Sequence, residues 1–126
     1  MNKIEPEARL LGNIKLGLDV CIGMYAELNG RDSLITIGDG CDIASFVTIT
    51  TADSHKQCIG RADKIERKPV VLEDHVFVGQ AAIILPGAHV GHHTVIGAGA
   101  VVRGKIPPYS RVRAPDAVLE SGFYQR

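Results

Sequence analysis

Between Leu72 and Val102 every sixth residue is aliphatic: Leu72, Val78, Ile84, Val90, Ile96 and Val102. Four places after each stands a smaller or β-branched residue: Val76, Ala82, Ala88, Thr94, Ala100 and Ile106. Glycine directly follows three of the anchors, at Gly79, Gly91 and Gly97. An amphipathic helix repeats near 3.6 residues and a half-buried strand near 2, so neither produces this pattern. A hexapeptide period points to a parallel β-helix, in which each repeat supplies one short strand and a corner.

The same phase runs upstream through Leu10, Leu16, Ile22 and Leu28, with Ile14, Val20 and Ala26 in the second slot. It returns through Ile37, Ile43 and Ile49, with Cys41 and Val47 in the second slot. Two segments break it. Leu28 to Ile37 is three residues too long, and Asn29-Gly30-Arg31-Asp32-Ser33 is expected to form a turn that absorbs the excess. The longer break, from Ile49 to Leu72, holds an insertion over residues 53–69. It is polar and cationic, so it projects from the prism. Loops of this length in compact domains are usually functional.

With 126 residues the chain fits one domain, residues 1–126, with a tail over 107–126. Aromatics are scarce and tryptophan is absent, which suits a narrow interior of Ile, Val, Leu and Ala. A formal net charge of +0 gives no reason to expect a nucleic-acid partner. No apolar run approaches the ~20 residues of a membrane span. The start, MNKIEPEARL, lacks the apolar core of a signal peptide, so a cytoplasmic location is expected. Cys21, Cys41 and Cys58 have no paired spacing and are expected to be free: two small buried hydrophobes and one loop thiol.

Three hexapeptides complete one triangular coil, so residues eighteen apart stack: Leu72 on Val90, Val78 on Ile96, Gly79 on Gly97. Four to five coils are expected, with stability accumulating through stacking of each coil on the next. A small prism leaves much flat surface uncovered, and a homotrimer supplies the missing buried area.

The stretch from Ile35 to Pro115 resembles the hexapeptide-repeat acyltransferases. It is closest to the branch of maltose, galactoside and streptogramin acetyltransferases and surface-polysaccharide O-acetyltransferases. The residues that carry the likeness are Ile37-Gly38-Asp39-Gly40, the run Ile49 to His55, and Lys68-Pro69-Val70-Val71-Leu72-Glu73-Asp74. They continue with Val78-Gly79-Gln80, Ile84 to Gly91, Ile96 to Val102, and Ile106-Pro107-Pro108. The resemblance implies an all-β fold, a left-handed parallel β-helix with one projecting loop and a short C-terminal tail. It further implies acetyl-CoA as cosubstrate, a trimer, and no metal.

On this resemblance His55 takes the place of the catalytic histidine in the loop. Imidazole is the side chain already poised near neutrality to remove a hydroxyl proton. Asp53, two residues earlier, is a candidate orienter of the ring. The backbone N–H of Gln80 is the candidate oxyanion donor. Gly79, Gln80 and Ala98 are candidate contacts for the pantetheine arm. Arg103, Lys105 and Arg113 are candidate phosphate ligands, with Pro115 near the adenine end. The segment Val112-Arg113-Ala114-Pro115-Asp116-Ala117 departs from the Gly-Asn-Pro-Ala usual in the family. Tyr25, Glu27 and Asp32 are the candidate acceptor contacts. Five loop cations, Lys56, Arg61, Lys64, Arg67 and Lys68, favour a phosphorylated or nucleotide-linked sugar. His75, His89, His92 and His93 are read as outward-facing, with His92-His93 at a solvent-facing corner and no metal role.

The expected function is coenzyme A-dependent acetylation of a carbohydrate hydroxyl, in surface polysaccharide biosynthesis, by direct attack. Cys58 is the one loop nucleophile to exclude. Two alternatives stay open: N-acetylation of a nucleotide-linked amino sugar, and a non-catalytic β-helical trimer subunit.

Overall fold

The computed structural model of the chain describes residues 1–125; Arg126 lies outside the described residues. The chain winds as a parallel solenoid of about six turns. The first turn holds β1 (Lys3–Ile4) and β2 (Arg9–Leu16), and the second β3 (Cys21–Ile22) and β4 (Glu27–Ile37). The third holds β5 (Asp42–Ile43) and β6 (Thr48–Thr50), then the projecting loop, then β9 (Val70–Leu72). Within the loop lie β7 (Ala52–Asp53), the single helical turn α1 (His55–Cys58) and β8 (Glu66–Arg67). The fourth turn is β10 (Phe77–Val78), β11 (Ile83–Ile84) and β12 (His89–Val90). The fifth is β13 (Val95–Ile96), β14 (Val101–Val102) and β15 (Lys105–Ile106), and β16 (Arg111–Val112) begins a sixth.

Three parallel faces result. Face A stacks β1, β3, β5, β10, β13 and β16. Face B stacks the first halves of β2 and β4 on β6, β11 and β14. Face C stacks their second halves on β9, β12 and β15. The registers Leu72↔Val90, Val78↔Ile96 and Ile84↔Val102 match the predicted stacking. The anchors fill the interior, and Leu28, Ile49, Leu72, Val78, Ile84, Val90 and Ile96 are fully buried. Each such side chain stabilises the fold by roughly 1.5–3 kcal/mol.

The corners turn through left-handed residues. Corner A/B carries Tyr25, Phe46 and Ala81 at φ 60°, 62° and 60°, and corner C/A carries Asp19, His75, His93 and Tyr109 at φ 57°, 56°, 56° and 61°. A side chain held in this region costs roughly 1–2 kcal/mol. Ring contacts along the corners offset part of it: Tyr25 stacks on Phe46 at 5.4 Å and His93 on Tyr109 at 5.2 Å between centroids, and His75 meets His93 tilted at 5.0 Å.

Several expectations are corrected. Residues 29–33 form no separate turn: β4 runs unbroken around corner B/C, and its excess is a bulge between Gly30 and Ile35 facing the single Asn13 of β2. Asn13 Nδ2 donates to Ser33 O at 3.0 Å, and Asp32 takes the left-handed conformation at φ 54°. Ile106 is not a second-slot residue. It pairs with Val90 as the face C anchor, so the corner after Val102 is two residues shorter than the repeat. The solenoid has about six turns rather than four to five, because Lys3–Ile4 and Arg111–Val112 add rungs at the ends. Cys21 points outward and is half-buried, whereas Cys41 is buried, its Sγ donating to Glu73 O at 3.1 Å. Burial pushes the Cys41 thiol pKa up. In the tail up to Gln125, Val118, Leu119 and Tyr124 are exposed.

Candidate active site

The loop leaves corner B/C on a two-rung antiparallel ladder, Ala52↔Arg67 and Asp53↔Glu66. Its base is fixed to the prism by Lys68 N–H donating to Thr51 O at 2.8 Å, and by buried Thr51 Oγ1 donating to Asn29 O at 2.9 Å. Lys56 Nζ meets Glu66 Oε1 at 2.9 Å and ties α1 back to β8. That ammonium holds the Glu66 carboxyl below its ordinary pKa, and Glu66 raises Lys56 in return. His55 opens α1 directly after Ser54, and its side chain is exposed. Among the described residues no hydrogen bond joins Asp53 to His55; Asp53 sits half-buried in the ladder. The exposed Cys58 thiol closes α1.

Gln80 and Ala98 lie at a different corner. Both follow face A anchors, Val78 and Ile96, which pair directly, so the two residues stack along corner A/B. Among the described residues neither backbone N–H donates to a protein acceptor, while Gln80 O accepts from Gly99 N–H at 2.9 Å. Met24 and Ser45, in the two turns before, have the same free amide. The corner is therefore a row of unengaged donors, of which Gln80 and Ala98 are the last two before Ala114. Gly79 is buried, and its N–H donates to Ile96 O at 2.7 Å.

The predicted phosphate ligands divide. Arg103 is at corner B/C, and Lys105 follows on face C, paired with His89. Arg113 follows β16 at corner A/B, where Gly97 packs on its backbone. Pro115 is exposed in the segment after it. The acceptor candidates divide in the same way. Tyr25 projects from corner A/B, stacked on Phe46, and Glu27 is half-buried on face B. Asp32 lies in the bulge at corner B/C, with Oδ2 3.8 Å from Arg67 Nη2. Within one chain, face B separates His55 and Asp32 from Gln80, Ala98 and Tyr25.

One constellation escaped sequence reasoning. Glu73 Oε2 lies 2.6 Å from His89 Nε2, and its Oε1 accepts the His92 N–H at 3.0 Å. These contacts, His89 foremost, hold the Glu73 carboxyl below its ordinary pKa. Glu73 also borders a shallow groove of about 630 Å³ along corner C/A, flanked by His75, His92 and His93. The available signal was the stacking itself. Glu73 follows the anchor Leu72, and His89 precedes the anchor Val90 beneath it. Among the described residues no group of three or more His, Cys, Asp or Glu side chains is placed to hold a metal ion. Among the described residues no helix is long and apolar enough to cross a membrane.

Residues 69–104 match the sequence family described as bacterial transferase hexapeptide (six repeats). This is a hexapeptide-repeat domain. It is 33% identical over 98 residues to the galactoside O-acetyltransferase of Escherichia coli K12, an alignment covering 73% of this chain and 48% of that one. A maltose O-acetyltransferase structure from Clostridium difficile 630 superposes with a TM-score of 0.75 at 31% identity, covering 88% of this chain and 60% of that one. A galactoside acetyltransferase in complex with coenzyme A superposes with a TM-score of 0.73 at 27% identity, covering 85% and 56%. The hexapeptide-repeat domain thus spans about half the length of that curated relative. Its fold is the left-handed parallel β-helix, as the resemblance implied.

Proposed function

We propose that this chain is a coenzyme A-dependent acetyltransferase that moves an acetyl group to a carbohydrate hydroxyl, as part of surface polysaccharide assembly. The observation that carries this reading is the pair of free amides, Gln80 and Ala98, stacked one turn apart along corner A/B. A thioester carbonyl and an amide-bearing pantetheine arm are acceptors suited to such a row. The galactoside acetyltransferase neighbour in complex with coenzyme A supports the choice of donor.

The reaction needs more than one chain. His55 projects from corner B/C and Gln80 from corner A/B, so face B lies between them. Three prisms placed with face B toward a common threefold axis put corner B/C of each against corner A/B of the next. The loop then overhangs the neighbour's Phe46, Gln80 and Ala98. Arg103 of one chain and Arg113 of the next flank the same cleft, on the side of the donor phosphates. Tyr25 and Asp32 meet across it on the acceptor side.

In that cleft His55 removes the hydroxyl proton as the acceptor oxygen attacks the thioester carbonyl. The Gln80 N–H bonds the oxygen that becomes negative in the tetrahedral intermediate. The carbon–sulfur bond then breaks, and the imidazolium returns its proton to the departing thiolate. Asp53 acts on His55 only through the loop.

Calorimetric titration with coenzyme A and acetyl-CoA, with the oligomeric mass taken on the same sample, tests the reading. One site per subunit in a trimer is expected. His55→Ala should keep the mass and the coenzyme A affinity while lowering kcat by roughly 10²–10⁴-fold. No binding at millimolar ligand, or unchanged turnover in His55→Ala, overturns it.

A further inference from the structure

A pocket of about 320 Å³ lies between the β4 bulge and the base of the loop, lined by Asn29, Arg31 and Asp32 on one side and Ser54, Ile65 and Arg67 on the other. Its volume is at the lower end for small-molecule sites. The solenoid does not require it. In the turn before, Asn13 alone spans the interval that four residues span between Gly30 and Ile35. Hydrogen bonds hold the two sides together. Arg67 Nη1 donates to Arg31 O at 3.1 Å, and Thr51 Oγ1 donates to Asn29 O at 2.9 Å.

Both guanidinium groups are held and under-used. Arg31 donates through Nε to Asn29 Oδ1 at 3.1 Å, and among the described residues its terminal nitrogens meet no protein acceptor. Arg67 spends Nη1 on a backbone carbonyl, and its Nη2 stands 3.8 Å from Asp32, beyond hydrogen-bond reach. Arg31 and Arg67 against the single Asp32 leave the lining with a net positive charge. Planar forks with free donors bind carboxylate and phosphate oxygens in pairs. Ser54 lines the pocket and directly precedes His55.

The geometry points to this pocket as the binding site for an oxyanion carried by the acceptor, with Arg31 and Arg67 as its specificity-determining residues. The acceptor is then an acidic sugar: a uronate, or a sugar phosphate such as a nucleotide-linked sugar. The anion takes the place of Asp32 beside Arg67. That the bound anion belongs to an acceptor rests on the acetyltransferase reading; the anion site does not.

The test follows amide shifts of the full chain by NMR during titration with glucose 1-phosphate, glucuronate and glucose. At least one anion should bind at least tenfold more tightly than glucose, shifting amides of residues 29–34 and 52–67. Which of the two binds distinguishes phosphate from carboxylate. The double variant Arg31→Gln, Arg67→Gln should weaken that anion at least tenfold. Asp32→Asn, which removes a competing carboxylate from an exposed position, should tighten it severalfold. Equal binding of glucose, or no effect of Asp32→Asn, overturns the proposal. So does a loss of coenzyme A affinity in the double variant equal to its loss of sugar binding, because the arginines would then hold the donor. Anion binding without coenzyme A binding would overturn the acetyltransferase reading and leave the pocket standing.

Discussion

A Cβ added to Gly79 would stand 2.6 Å from the backbone nitrogen of Ala98 and 2.9 Å from the carbonyl carbon of Gly97. The glycine lets two turns close at corner A/B, and it sets the spacing of the amides at Gln80 and Ala98. Both neighbouring atoms are backbone, so no rotamer change relieves the contact. Gly79→Ala should destabilise the chain by about 1–3 kcal/mol. It should also weaken coenzyme A binding more than an equally destabilising change elsewhere in the prism. Thermal unfolding and calorimetric titration on the same variant check both parts.

The proposed threefold arrangement directs face B inward. Its outward positions in the fourth and fifth turns are Ile83 and Val101, 38% and 53% exposed in the single chain. Burying them against partner chains removes apolar surface from water at roughly 25 cal/mol per Å². Ile83→Lys with Val101→Lys should yield monomers and abolish transfer, while the circular dichroism spectrum stays that of a β-helix. Light scattering reads the mass. A double variant that remains trimeric would show that face B is not at the axis.

Glu73 links stability to pH. Its carboxyl pKa lies below the ordinary 4.5 because the folded chain bonds the charged form through His89 and the His92 N–H. A carboxylate with a depressed folded pKa adds stability that is fully present above its unfolded value. That stability is lost as pH falls through the folded value. Glu73→Gln should therefore be less stable than the parent chain at pH 6–7, with the gap closing below about pH 4. Unfolding curves at a series of pH values measure it. A gap that widens on acidification would contradict this account.

The repeat was legible because each interior position demands an aliphatic side chain at fixed spacing, so Leu72 to Val102 announced their own stacking. The end of the repeat was not, because Ile106 fits two roles in one dimension. Four residues after Val102 it imitates a second-slot residue, and only the partner Val90 shows it to be an anchor. The bulge failed for a related reason. Asn29 to Ser33 has the composition of a turn, yet Asn13 and Gly12 on the adjacent turn supply partners that hold it in the sheet as a bulge. At the candidate site the sequence located His55 in a projecting loop and Gln80 beside a buried glycine. It could not show that they occupy opposite edges of face B, since corner assignment depends on how many residues the loop removes from the count. The Glu73–His89 pair was hidden because its members belong to different turns and carry no motif.

Thr94 is the one polar side chain buried among the second-slot residues, and its two hydrogen bonds define the last rung. Its Oγ1 donates to Pro107 O at 3.3 Å and accepts the Ser110 N–H at 3.3 Å. Ser110 O in turn accepts the Val95 N–H at 3.0 Å. The hydroxyl thus connects the start of the fifth turn to the residue that leads into β16. Thr94→Val keeps the volume and the β-branch but leaves the Ser110 N–H without its partner. A loss of about 1–2 kcal/mol is expected. Hydrogen exchange should localise the damage, with Val112 and Gly97 amides exchanging faster while those of Val78 and Ile84 keep their protection. Because Arg113 follows directly on β16, coenzyme A affinity should fall with that rung if its guanidinium meets the donor phosphates. A variant with a frayed sixth turn and undiminished coenzyme A affinity would remove Arg113 from the donor site.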